Sequence, residues 1–239
     1  MKRALTTLII LITTTGPVYA ANDIDQINQL IQQEFRLLSE DLTAAASYKG
    51  AIPATPLGIT GFDIGLEVSG TTPAHKDAWD RATSGSVPDT VYVPKLHLHK
   101  GLPLGFDIGA FYSTVPDSDM ALWGAGLRYA IFEGGVVTPA LGLRATYSKL
   151  TGVEELDFHT TGLELLVSKG FTIFTPYAGV GSVWTTSTPV GVTNVTKEEF
   201  TSGKYFVGGN LNFGLAHLAL EADKTGPATS YSAKIGFRF

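Results

Sequence analysis

Two histidines separated by a single residue, His97 and His99 in Lys95-Leu96-His97-Leu98-His99, form the first pattern that could carry chemistry. Alternate side chains of an extended strand share a face, so the pair could offer two imidazoles to one metal ion. His217 or Asp223 could act as a third ligand if their strands lie close. No carboxylate adjoins the pair in sequence and the chain contains no Cys. The pair therefore reads as two inward-facing histidines, and no metal site is assigned.

A larger set consists of charges that recur on one face of alternating segments. Its acids are Asp63, Glu67, Asp107, Glu164, Glu221 and Asp223, and its bases are Lys95, Arg128, Arg144, Lys204, Lys234 and Arg238. Charges confined to a poorly hydrated interior must pair or cost several kcal/mol each. A balanced set predicts internal ion pairs rather than a ring of one sign that selects ions. Hydrolytic candidates are weaker. His75, Asp77, Asp80, Asp117 and Asp119 could gather at one rim as a His–Asp couple with paired carboxylates, while His159 and Ser168 are too loosely placed to form a nucleophile–base pair. Asn194-Val195-Thr196 matches a glycosylation acceptor, a three-residue pattern that carries little weight by itself.

The segments that must position these charges have a period of two. Phe62, Ile64, Leu66 and Val68 alternate with Asp63, Gly65, Glu67 and Ser69; the same alternation recurs through Leu104–Tyr112, Trp123–Ile131 and Pro139–Tyr147. One face is apolar and aromatic-tipped, the other Gly, Ser and isolated charges. A soluble sandwich carries exposed Lys and Glu on its second face, whereas the sparse face here suits the inside of a membrane barrel. Ten strands are predicted, near 59–69, 90–98, 103–113, 120–132, 137–149, 156–168, 171–185, 203–213, 216–224 and 229–239. Connections after odd strands read as long or polar and those after even strands as tight, the asymmetry of bacterial outer-membrane barrels. Trp123, Tyr129, Tyr147, Tyr177, Trp184, Tyr205 and Phe237 are expected near two aromatic belts, with Tyr177 inward by parity.

Ahead of the strands, Ile24, Ile27, Ile31, Phe35 and Leu38 recur at helical spacing, predicting an amphipathic helix over 23–42 with Asn22 or Asp23 as cap. The first twenty residues, with Lys2 and Arg3, a short apolar run and Val18-Tyr19-Ala20, read as a secretory leader rather than a membrane helix. The organisation read is 1–20 leader, 21–57 helix and linker outside the wall, and 58–239 barrel.

Composition agrees. Charged residues are only 16% of the chain, there are 27 Gly, and the net charge is −5, which excludes disorder and argues against a nucleic-acid partner. Zero Cys excludes disulfides, thiolate metal sites and a cysteine nucleophile.

The chain ends on Phe239, preceded at every second position by Phe237, Ile235, Ala233 and Tyr231. This resembles the terminal-strand signal of Gram-negative outer-membrane β-barrel proteins, and Thr175-Pro176-Tyr177-Ala178-Gly179-Val180-Gly181 is similar to strands of small barrels of that kind. The resemblance covers about 58–239 and is closest to small, mostly uncharacterised proteobacterial barrels. It implies an all-β antiparallel transmembrane barrel in the cell outer membrane, contact with outer-membrane lipid, and recognition of the last strand by the barrel-assembly machinery. The function expected is non-enzymatic, porin-like in form, structural or surface-interacting, with at most weak passage of small solutes and no cofactor. The alternatives are an outer-membrane hydrolase with a rim active site and a secreted soluble ligand-binding barrel. For the closing seam, Asp63 opposite Arg238 and Glu67 opposite Lys234 satisfy one register. In the last hairpin, Glu221 is expected opposite Lys234 and His217 opposite Arg238.

Overall fold

The computed structural model describes residues 24–83, 88–114 and 119–239. The leader at 1–20, the cap positions Asn22 and Asp23, and Asp117 lie outside the described residues. Ten strands close into one antiparallel barrel: β1 (Phe62–Thr72), β2 (Val91–Gly101), β3 (Phe106–Thr114), β4 (Ala121–Phe132), β5 (Ala140–Thr151), β6 (Leu156–Ser168), β7 (Phe174–Pro189), β8 (Glu198–Phe213), β9 (Ala216–Thr225) and β10 (Ala228–Arg238). Each strand pairs with its sequence neighbours, and β1 closes on β10, which removes the unpaired edges an open sheet would leave.

The two ends of the barrel differ. At the turn end the connections are 102–105, 133–139, 169–173 and 214–215. At the loop end lie 73–90, which carries the short helix α2 (Lys76–Ala82), then 115–120, 152–155, 190–197 and 226–227. The expected contrast of long or polar with tight connections holds only in part: 152–155 and 226–227 are short, and the turn-end connection 133–139 is longer than either. Thr225 pairs with Ala228, and Gly226, at φ +57°, turns the chain together with Pro227. Strand β8 also begins earlier than predicted, at Glu198, so the loop before it is shorter.

Registers follow from these turns. The seam has Asp63 opposite Arg238 and Glu67 opposite Lys234, as the charge pattern predicts. The last hairpin does not have the predicted register: Glu221 lies opposite Ser232 and His217 opposite Gly236. The two-residue turn at 226–227 sets this pairing, two residues from the one inferred from charge, because turn length fixes register in a hairpin.

The period-two pattern sorts side chains as predicted but inverts the usual burial. Leu66, Leu96, Ile108, Leu127, Val207, Leu220 and Ile235 face outward and are exposed, while the charges between them are buried. Tyr92, Tyr112, Trp123, Trp184, Tyr205 and Tyr231 stand exposed towards the loop-end third of the wall, and the Trp123 and Tyr147 rings pack in a tilted pair with centroids 5.5 Å apart. At the turn end the outward rings are Phe132, Phe171, Phe174, Phe213, Phe237 and Phe239, with Tyr129. Tyr177 points inward and is buried, as its parity requires.

The N-terminal segment is not part of the wall. It forms no strand, but it lies inside the ring. Ile24 bridges to Thr83 in the first loop-end connection. A 3₁₀ turn (Ile27–Gln29) leads into α1 (Gln32–Ala46), and residues 47–57 then run down the interior to the turn end, where the Leu57 N–H donates to Asp107 Oδ1 at 2.9 Å. The helix thus begins later than predicted and continues to Ala46. Ile31 is its N-cap and is exposed, with no side-chain acceptor of its own; its N–H donates instead to Glu34 at 3.2 Å. Ile24, Ile27, Phe35 and Leu38 are buried with Trp79, Phe111, Leu122 and Phe158. The apolar stripe of α1 faces the inner wall and the first loop.

The β1–β10 register can be checked on the outer face, where Val68 lies opposite Ala233. In a Val68→Cys/Ala233→Cys chain, directly opposed Cβ atoms about 4.5–5.5 Å apart should be joined by a short bis-thiol reagent. Val68→Cys with Ile235→Cys, offset along the strand, should react far less; the reverse preference contradicts the seam.

Candidate functional site: the charged interior and its plug

The wall supplies inward charges at fixed heights because neighbouring strands present side chains of the same parity to one face. Asp63 is the hub at the turn end. It takes Lys234 Nζ at 2.7 Å, Arg238 Nε at 2.8 Å, His217 Nε2 at 3.0 Å and His99 Nδ1 at 3.5 Å. Further along the same strand, Glu67 receives Lys95 Nζ at 3.1 Å and His97 Nε2 at 2.9 Å. Asp107 pairs with Arg128 at 2.7 Å. Glu164 joins Arg144 at 2.5 Å and Lys204 at 2.9 Å.

Two of the predicted acids behave differently. Asp223 does not pair with a wall cation. Its Oδ1 takes Lys49 Nζ from the N-terminal segment at 2.8 Å, and Thr225 donates to its other oxygen at 3.0 Å. Glu221 makes no ion pair among the described residues; Arg144 and Lys204 are the positive charges that act on it. Lys234, expected between two carboxylates by direct opposition, instead reaches along the seam to Asp63. The counter-charge of Asp223 therefore comes from outside the wall, from Lys49.

The segment carrying Lys49 is held along its whole course. At the loop end the Asp41 carboxylate accepts the N–H groups of Ala74 at 3.0 Å and His75 at 2.8 Å and the Trp79 indole at 3.2 Å. Asn194 donates to the Leu30 carbonyl at 2.6 Å, and Gln32 and Arg36 reach Glu198. Midway, Ser39 meets Ser187 and Thr43 meets Thr185, each at 2.8 Å. Lower down, the Tyr48 hydroxyl and His99 Nε2 are 2.9 Å apart, and Lys204 donates to the Tyr48 carbonyl at 2.5 Å. Arg128 donates to the carbonyls of Pro53 and Thr55, and the Ala54 N–H donates to Ser168 at 3.0 Å.

Wall glycines make room for this path. A Cβ on Gly109 would strike the His99 ring and the Tyr48 hydroxyl, one on Gly126 would press on the Tyr48 ring, and one on Gly142 would meet Ala54. On the segment itself, a Cβ on Gly50 would collide with the Arg144 guanidinium. Two interior voids beside the segment measure about 70 Å³, under α1, and about 10 Å³, around Tyr48 and His99.

The other candidates fall away from one another. His97 and His99 stack at 5.6 Å but are committed to Glu67, Asp63 and Tyr48, and no metal-binding group of three is present among the described residues. His75 Nδ1 lies 3.3 Å from the buried Asp41 rather than in a couple with Asp77 or Asp80. His159 faces the Tyr147 ring and Asp157, while Ser168, at the other end of β6, points inward. Asn194 serves the plug. The terminal residues Tyr231, Ile235, Phe237 and Phe239 line the outer seam with Ala233, and Phe239 stacks on Phe62 at 5.8 Å.

Sequence reasoning missed Asp41, Tyr48, Lys49 and Gly50. The available signal was a lone lysine after an Ala-rich stretch, and its partner Asp223 lies on a strand far along the chain. Replacing Lys49 alone with Met leaves Asp223 buried and unmatched, a change expected to cost about 3–5 kcal/mol. The Lys49→Met/Asp223→Leu chain should regain most of that loss. Urea midpoints of the folded, heat-modifiable form measure both; equal loss in the single and double variants contradicts the pairing.

No family model matches this chain, and no curated protein matches it in sequence. Among solved structures it is similar to the N-terminal β-barrel domain of Pseudomonas aeruginosa OprF, at 13% identity and a TM-score of 0.39 over 74% of this chain and 97% of that one. It is also similar to the KdgM porin in complex with disordered oligogalacturonate, at 10% identity and 0.37 over 75% and 99%. A third is Ail, the attachment invasion locus protein of Yersinia pestis, at 14% and 0.30 over 75% and 97%.

Proposed function

We propose that this chain is a non-enzymatic β-barrel of the Gram-negative outer membrane, closed by its own N-terminal segment, with a structural or surface-interacting role and at most weak passage of small solutes. The observation that carries this reading is the inverted burial of the wall. Large apolar side chains such as Leu66, Leu96, Leu220 and Ile235 are exposed, while Lys49, Lys95, Lys204 and Lys234 are buried in ion pairs. In water that arrangement leaves the apolar face uncovered; in a bilayer acyl chains cover it, while the inward charges compensate one another.

In this reading residues 1–20 are an export leader, 21–57 the plug and 58–239 the barrel. The turn end faces the periplasm and the loop end the outside, following the usual asymmetry of such barrels. The last strand, through Tyr231, Ala233, Ile235, Phe237 and Phe239, is what the barrel-assembly machinery engages. The buried ion pairs of Asp63, Glu67, Asp107 and Glu164 with Lys95, Arg128, Arg144, Lys204, Lys234 and Arg238, together with Glu221 and Asp223, serve cohesion rather than ion selection. The plugged interior weighs against a soluble ligand-binding barrel.

Planar-bilayer recording of the full chain is the test. The reading predicts a silent or faintly conducting protein, and a steady porin-sized conductance would overturn it. Weakening the plug with Tyr48→Ala and Lys49→Met together should raise channel activity from that baseline.

A further inference from the structure

The turn end carries an unusual surface for a segment assigned to the periplasm. Val136 is 97% exposed, Val137 86% and Leu104 85%, and Ile59, Phe171 and Leu215 are exposed beside them. Every connection at this end contributes at least one, so the apolar surface forms a crown around the rim. The loop end differs: its exposed Lys76 and Lys197 are matched by Asp89 and Glu199.

We propose that this crown is a membrane-inserted surface, seated at the boundary between acyl chains and headgroups of the leaflet at the turn end. The proposal rests on the reading of the chain as a membrane barrel and adds what the turns contact. Three observations carry it.

The first is length. From Tyr231 to Phe239, or from Tyr205 to Phe213, the wall runs roughly eight residues, which at about 3.4 Å each and a tilt of 35–45° rise about 19–22 Å. The apolar band of such barrels is about 25 Å tall, so the strands stop several ångströms short and the crown supplies the remainder. The second is ring chemistry. Tyr and Trp, which favour the headgroup level, stand towards the loop end, whereas the turn end has mostly Phe, which has no polar handle. The third is backbone satisfaction. Lys169 Nζ donates to the carbonyls of Gly135 at 2.8 Å, Val136 at 2.7 Å and Thr138 at 3.3 Å. Lys100 Nζ likewise donates to Ile59 and to Gly61, the latter at 3.2 Å. In open water these turn carbonyls would be hydrated, and both lysines would be free to extend; folded back, they supply donors where water is scarce.

The chain has no Cys, so Val136→Cys, Leu104→Cys and Leu215→Cys each place one environment-sensitive fluorophore on the crown. Leu66→Cys serves as the mid-wall control and Lys76→Cys as the loop-end control. Full-length chains are reconstituted in phosphatidylcholine vesicles containing lipids brominated near the carbonyl end, with aqueous iodide as the opposing quencher. Crown labels should lose about half their emission to the brominated lipid and roughly a tenth to iodide, as expected for groups buried some 5–10 Å into the interface. The Lys76 label should show the reverse. Crown labels quenched only by iodide, with Leu66 quenched by lipid, overturn the insertion and leave the membrane barrel standing. Crown labels shielded from both quenchers mean that a second copy covers the rim, which also overturns it. A Leu66 label that lipid does not quench removes the membrane reading and this proposal together.

Discussion

A closed sheet with an apolar outer face has one place to keep its charges, and everything inside this barrel follows from the need to compensate them there. Water cannot do it once the interior is filled, so each carboxylate must find a cation or a donor within reach. Asp63 shows how far that requirement extends. It draws Lys234 and Arg238 from β10, His217 from β9 and His99 from β2, and so ties the closing seam to the strands on either side. The register of the seam and the position of the charges are a single choice, because a slip of one residue would turn every inward charge towards the apolar side.

Filling the interior is the second part of the same constraint. The ring of ten strands encloses more space than its own inward side chains occupy, since many of them are Gly and Ser. The segment from Ile24 to Leu57 fills that space and also brings Lys49 to Asp223. Its two halves do so by different means. α1 packs its apolar stripe on Phe111, Leu122 and Phe158 near the loop end. The extended part below contributes mainly backbone groups, which meet Lys204, Arg128, Ser168 and Asp107. A wall charge that satisfies a plug carbonyl cannot also be hydrated, so plug and ion-pair network stand or fall together.

Much of the wall was legible in the sequence because its signals are local. Period-two alternation gives the strands and their faces. The spacing of Asp63 and Glu67 against Lys234 and Arg238 gives the seam, since that closure has no connecting turn to override the charges. The last hairpin was misread for the opposite reason: Gly226-Pro227 sets its register through turn geometry, and the charge pairing of Glu221 with Lys234 yields to it. The plug was half legible. Helical spacing identified α1, but an amphipathic stripe does not say which apolar surface it meets, and the counter-charge of Lys49 sits on a strand far along the chain. The inward glycines at 109, 126 and 142 were visible as a sparse face, yet only the path of Tyr48 and Ala54 shows what the space is for.

The central claim, that the interior is filled and its lysines are held in ion pairs, is open to direct chemical measurement. Lysine-selective acylation of the folded full-length chain in detergent, followed residue by residue by mass spectrometry, compares interior and rim amines in one experiment. The account predicts that Lys49, Lys95, Lys204 and Lys234, whose side chains are fully buried in ion pairs, stay unmodified while Lys76, Lys149 and Lys197 react. Modification of the interior four at the rate of the rim lysines would contradict it.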